Sequence, residues 1–232
     1  MEQLFGQYTK EVDDKLYNQK SGRLPWYRYM ALRFQYGFNL LTDSDEFDNT
    51  GATNEQIEAS KIIKYAAVNN GDTPGRIIVK IAGETDGVLS PISEEAQVSV
   101  EEYFEEVKYA GSYVTVINYL PDRLYLNLQI YHDPLVLDEN GVSILNGNKP
   151  VEDAIKAFMK ELPFDGELVL FDLEERLKQI EGVEIPHLVA ASSSWITPST
   201  GGYGTPSPIH VKRIPESGYF EVVNFDTVTY VV

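Results

Sequence analysis

Asp43 and Asp45, one residue apart, with Asp48 close behind, are the side chains whose spacing comes nearest to a chemical motif. Carboxylates spaced this way can hold a divalent cation, but the calcium-loop pattern fails. Its fifth position is Phe47, its sixth is Asp48 where the sharp turn wants Gly, and its twelfth is Asn54 in place of a bidentate Glu. The metal pair of a nucleotidyltransferase needs a glycine turn shortly upstream to cradle phosphate, and here Gly37 is followed by Phe38. Residues 43–48 therefore read as an acidic loop cap. The alternative function kept beside this reading is a metal-dependent nucleotidyltransferase or hydrolase built on the same loop.

The other reactive residue types are scattered. His132, His187 and His210 lie far apart, without the helical spacing of a metal-ligand set, and read as hydrogen-bonded imidazoles near strand ends. Ser192, Ser193 and Ser194 offer hydroxyls with no base placed beside them. Trp195 and Tyr203 flank a Ser/Gly/Pro loop and would be the anchors of a carbohydrate-binding reading. There is no cysteine, which excludes disulfides, thiolate metal sites and thiol nucleophiles together. No phosphate-binding glycine loop or serine-elbow motif occurs. The sequence thus assigns no catalytic, cofactor-binding or metal residue and no small-molecule substrate.

Nineteen Lys and Arg against 36 Asp and Glu leave a net charge of −17, a field that repels phosphate backbones. Nucleic acid is excluded as a partner on that ground. A membrane is excluded because no apolar run reaches the roughly 18–20 residues of a span. The N-terminus also lacks the basic and apolar regions of a signal peptide. With 43% hydrophobic and 12% aromatic residues, the chain has enough apolar surface to fold without covalent staples.

The elements that would position these residues follow from periodicity. Leu4, Tyr8, Val12 and Leu16 recur every four residues and predict a narrow apolar helical stripe. Pro25 suits the first turn of a second helix that ends near Gly37 and carries Trp26, Tyr29, Met30, Phe34 and Tyr36 over nearly its whole girth. Such girth predicts burial on more than one side, so these nine residues are the candidate interface. Residues 1–36 hold six bases against four acids, while residues 84–107 hold eight acids and no base. The Glu-rich helix is accordingly one candidate docking face for the arm.

Thr53 with Gln56 predicts a capped short helix, and two strands flank the turn at 71–75. Ser93 caps a helix that buries Val100, Tyr103, Phe104 and Val107 while exposing Glu101, Glu105 and Glu106. The strands YVTVIN and LYLNLQIY follow, joined around Leu120-Pro121-Asp122; in the second, Leu124, Leu126, Leu128 and Ile130 alternate with Tyr125, Asn127, Gln129 and Tyr131. Pro150 opens a helix burying Ile155 and Phe158, and Asp172 with Glu175 has capping-box spacing for the next. The last residues read as two or three strands.

Three stretches carry a resemblance: LPWYRYMALRFQYGFNLLTDSDEFDNTGA, then residues 75–141, then PVEDAIKAFMKELPFDGELVLFDLEERLKQIEGVEIPHL. Their features are the Gly75-to-Val107 opening and the Ala110-Gly111 turn into Val114-Thr115-Val116. The run from Tyr131 to Leu137, Leu162-Pro163-Phe164, and Ile180-Glu181-Gly182-Val183 complete them. Together they resemble the baseplate J-like proteins, wedge components of phage tail baseplates and related injection machines. The resemblance implies a two-lobed α+β protein without enzymatic activity. Such a protein would pack with copies of itself and with other wedge and hub proteins in a ring around the tail hub. It implies a place in the virion after assembly in the bacterial host cytoplasm. The combined expectation is an α+β chain with a helical arm at 1–52, lobes of antiparallel sheet under helices at 53–135 and 136–195, and a loop with a small β-sheet at 196–232.

Overall fold

The computed structural model describes residues 21–232. The expected α+β class holds, but the division differs: the described residues form two compact units that part between Tyr119 and Leu120. This single boundary replaces the four segments expected above, because the second helix of the arm belongs to the first core and the strand after Leu120 belongs to the second.

In the first unit, α1 (Leu24–Arg33) has Pro25 in its opening turn and stops four residues short of Gly37. The capping box of α2 (Asn54–Ser60) is present: Gln56 N–H donates to Thr53 Oγ1 at 3.3 Å and Thr53 N–H donates to Gln56 Oε1 at 2.9 Å. β1 (Tyr65–Asn70) and β2 (Arg76–Thr85) are the expected antiparallel pair, and β3 (Val88–Ser90) folds back on the end of β2. The Ser93 hydroxyl accepts from Ala96 N–H at 3.2 Å to start α3 (Glu94–Val107). This helix is the crossover to β4 (Tyr113–Ile117), which pairs parallel with β2 from Arg76↔Tyr113 to Lys80↔Ile117. The sheet is mostly antiparallel, as expected, with β4 as its one parallel strand among the described residues. Its core gathers Tyr27, Met30, Phe34, Val79, Ile81, Val100 and Phe104 from α1, the sheet and α3.

In the second unit, β5 (Asp122–His132) carries the alternation read from sequence, with every even-numbered residue buried. It shares no sheet with β4, the strand that precedes it across Leu120-Pro121-Asp122. α4 (Pro150–Glu161) starts at Pro150 as expected. β6 (Leu168–Val169) runs directly into α5 (Leu170–Lys178), so Asp172 lies inside the first turn and is not the cap. β7 (Val183–Ser194) pairs antiparallel with β5 along nearly its whole length.

Six short strands complete the unit: β8 (Ile196–Thr197), β9 (Gly202–Tyr203), β10 (Ser207–Ile209), β11 (Lys212–Arg213), β12 (Phe220–Val222) and β13 (Val228–Val231). β8 and β9 pair antiparallel as a small sheet of their own, whereas the last strands, expected to form a terminal sheet among themselves, join strands from earlier in the chain. β10 joins β7, β11 joins β6, and β12 and β13 pair in parallel with successive parts of β5. One face of the five-stranded sheet packs Leu124, Leu126, Leu128 and Ile130 against Val151 and Ile155 of α4 and Leu173 and Leu177 of α5. Phe158 packs on this core half-buried.

Candidate functional site

The acidic loop is a tight hairpin. Leu41 N–H donates to the Glu46 carbonyl and Asp48 N–H to the Asn39 carbonyl, each at 2.8 Å. Its carboxylates have local tasks. Asp43 holds the left-handed turn conformation at φ 56°, and Asp45 Oδ2 lies 4.0 Å from Arg33 Nη1. Asp48 accepts from Thr50 N–H at 3.0 Å, and the hydrogen bonds from Thr50 hold its carboxyl below the ordinary value. The hairpin borders a cleft of ≈ 920 Å³ whose lining includes Trp26, Leu41, Asp43, Asp45, Glu106 and Tyr109. Among the described residues no group of three or more His, Asp or Glu is placed to hold a metal ion.

The structure separates the nine candidate interface residues. Leu4, Tyr8, Val12 and Leu16 lie outside the described residues. Trp26, Met30 and Phe34 retain 8%, 0% and 3% of their surface and belong to the first core, which removes them from an interface with another chain. Their partners are internal: Trp26 meets Tyr27 and Tyr109 edge-on with centroids at 4.9 and 5.5 Å. Phe34 packs on Phe47 and Tyr103 at 6.1 and 5.4 Å. The Tyr103 hydroxyl, its pKa raised by burial, donates to the Met30 carbonyl at 3.2 Å. Tyr29 is half-buried against this cluster and Tyr36 is 40% exposed. The broad aromatic girth is therefore satisfied by sheet and α3 of the same unit, which sequence periodicity cannot distinguish from a second subunit.

The three histidines do not converge in function. His132 is buried at the last position of β5, edge-on to Tyr230 at 5.9 Å, whereas His187 and His210 are exposed. Of the serines, Ser193 is buried, and Ser194 shares a 3.3 Å hydrogen bond with the Tyr125 hydroxyl. Trp195 and Tyr203 each carry a guanidinium on one ring face, Arg213 at 4.4 Å and Arg123 at 3.8 Å. Those faces are taken by cation–π contact and are closed to a sugar ring.

The sequence reading passed over the outer face of the second sheet. The odd-numbered residues of β5 from Arg123 to Tyr131 are half-buried or exposed, and the register aligns Tyr131 with Ile185, Gln129 with His187 and Tyr125 with Ser192 on β7. Ile185 and Val189 are 57% and 52% exposed. Its signal was present in LYLNLQIY, where no position between the leucines is charged. Compared with known proteins, the sequence matches no family model and no curated protein.

Proposed function

We propose that the chain is a non-enzymatic structural subunit of the baseplate J-like kind, a tail-baseplate wedge protein that works by packing with copies of itself and with other wedge and hub proteins. One observation carries this reading: residues that bear the resemblance serve the backbone and not a reaction centre. Gly75 and Gly111 both adopt positive φ, 82° and 85°, and a Cβ on Gly75 would sit 3.0 Å from the Gly111 carbonyl. Gly182, at φ 86°, lies where a Cβ would come within 2.7 Å of Val136. Ala110 and Gly111 form the turn into β4, and Leu162 follows the last residue of α4.

On this reading the site of action is the virion tail, reached after assembly in the host cytoplasm. Proteomic analysis of isolated tail particles from the source is the test. The chain should be present in stoichiometric amounts, and its absence from intact particles overturns the proposal. The cleft beside Asp43 and Asp45 makes the nucleotidyltransferase or hydrolase alternative testable on purified protein. A rise in melting temperature with Mg²⁺ plus nucleotide that disappears in Asp43→Ala/Asp45→Ala would favour the enzyme instead.

A further inference from the structure

Two free strand edges are blunted by side chains. Beside β1 the Ala66 carbonyl accepts from Arg28 Nε at 2.8 Å, and on β7 Leu188 N–H donates to Glu174 Oε1 at 2.8 Å while Pro186 has no N–H to offer. β4 is different. Tyr113 N–H donates to the Gly75 carbonyl at 2.8 Å, so the odd-numbered residues of β4 turn their backbone groups toward β2. Val114 and Val116 turn theirs the other way, where no strand pairs with them among the described residues. Their N–H and carbonyl groups thus form a short open ladder, and Tyr113 and Thr115 beside it are exposed. From Tyr109 to Leu120 the sequence holds no Asp, Glu, Lys, Arg or Pro, the residues that ordinarily guard such an edge.

We infer that this edge receives an extended, lysine- or arginine-bearing segment of a partner protein, added antiparallel to β4 as one more strand of the first sheet. Main-chain hydrogen bonds to Val114 and Val116 hold it. Charge decides which strand fits. α3 packs beside β4 on the face that carries Val114 and Val116, and it exposes Glu94, Glu95, Glu101, Glu102, Glu105 and Glu106. Residues 84–107 contain no base, and Lys108 is already paired with Glu105. Arg76 and Lys80 stand in register with Tyr113 and Ile117, on the opposite face of the sheet. Every second residue of the added strand faces α3, where a Lys or Arg stem covers the edge of the core and its head reaches the carboxylates. The residues between lie beside Tyr113 and Thr115, where β-branched side chains pair well. A second copy of the chain fits worse, because pairing β4 with its copy about a two-fold axis sets two acidic α3 helices side by side on one face. The inference rests on the assembly reading above for the presence of a neighbour, and it names the chemistry of one contact.

Nuclear magnetic resonance of the full chain, following the Val114 and Val116 amides while a heptapeptide of alternating lysine and valine is added, tests it. Both amides should shift and become protected from hydrogen exchange, and binding should weaken as salt is raised. A glutamate–valine heptapeptide, and the lysine peptide N-methylated on its lysine backbone nitrogens, should each bind about tenfold more weakly or worse. All changes are in the peptide, so folding of the protein is not at issue. An N-methylated peptide that binds as well as its parent means that charge alone holds it and overturns the added strand. A glutamate peptide that binds as well overturns the charge requirement. Absence of any effect on the two amides overturns the inference, and so does protection that grows with protein concentration alone, which assigns the edge to a second copy. The wedge reading is judged separately, by particle content.

Discussion

Asp122 stands at the first position of β5 with its side chain wholly buried, and its carboxylate accepts N–H bonds from Glu216 at 2.8 Å and Ser217 at 3.0 Å. Burial raises its pKa, the two N–H donors draw it part of the way back, and the nearby Glu216 carboxylate adds to the rise. A carboxyl whose pKa is higher folded than unfolded favours the folded state when protonated. That contribution is complete below the unfolded value of about 3.9 and is lost as pH climbs through the folded value. The stability of the wild type relative to Asp122→Asn should therefore fall as pH rises from the unfolded value of about 3.9 toward neutrality. Urea unfolding across that range checks it, and a constant difference would show that burial does not dominate. Tyr230 makes a second residue-scale case. Its hydroxyl finds no hydrogen-bond partner among the described residues, and burial first, then Glu152 and Asp138, pushes it up to about 12. Tyr230→Phe should be neutral or stabilising within about 1 kcal/mol. Gly141→Ala should instead cost about 1–3 kcal/mol or more, because its Cβ would lie 2.0 Å from Tyr230 Cζ at a φ of 73°. Thermal and urea melts of the two variants must move in these different directions.

At the scale of elements, α3 shows how a local pattern becomes energy. Phe104 keeps 1% of its surface and packs beside Tyr27 and Tyr103, so Phe104→Ala should cost about 3–5 kcal/mol. Loss of the Ser93 cap in Ser93→Ala should cost about 1 kcal/mol. Glu101→Gln, on the exposed side, should stay within about 0.5 kcal/mol. Urea denaturation ranks the three, and equal losses at Phe104 and Glu101 would mean that the helix faces are reversed. The start of α3, the capping box of α2, the Pro150 start of α4 and the alternation of β5 were all legible, because each is decided by residues within a few positions of one another. The start of α5 was misread: Asp172 and Glu175 have the right spacing for a cap, but the chain is already helical from Leu170 as it leaves β6. Sheet membership was legible only for the hairpin of β1 and β2. β4 and β5 are neighbours in sequence with similar β-branched and aromatic content, yet β4 finds its partner back at Arg76–Lys80 and β5 finds its own ahead at β7. The acidic loop was legible as a cap, with Asp48 bonded to Thr50 two residues on. The pairing of Asp45 with Arg33 and the cleft beside them depend on α1 returning to α3, which no short window of sequence contains.

At the scale of the whole molecule, two separate apolar clusters divide the stabilising burial, one built around Tyr27 and Phe104 and the other around Leu128 and Ile155. Because the two clusters share no residue, Phe104→Ala and Ile155→Ala should be additive within about 0.5 kcal/mol in the double variant, measured by urea unfolding. A larger deviation would mean that the cores are energetically one. The parallel pairing of β12 and β13 with β5 bears on how the protein is made. The Thr227 hydroxyl donates to the Leu126 carbonyl from 101 residues further along. At a synthesis rate of about 5–20 residues per second, β5 leaves the ribosome some 5–20 s before that edge can be closed. Throughout that interval an alternating Leu-rich strand offers an open hydrogen-bonding edge to any neighbouring nascent chain. The first unit has its long strand paired much sooner, because β1 precedes β2 and β4 follows after one helix. Aggregation during overproduction should therefore begin in the second half of the chain, and slowing translation downstream of β5 should worsen it.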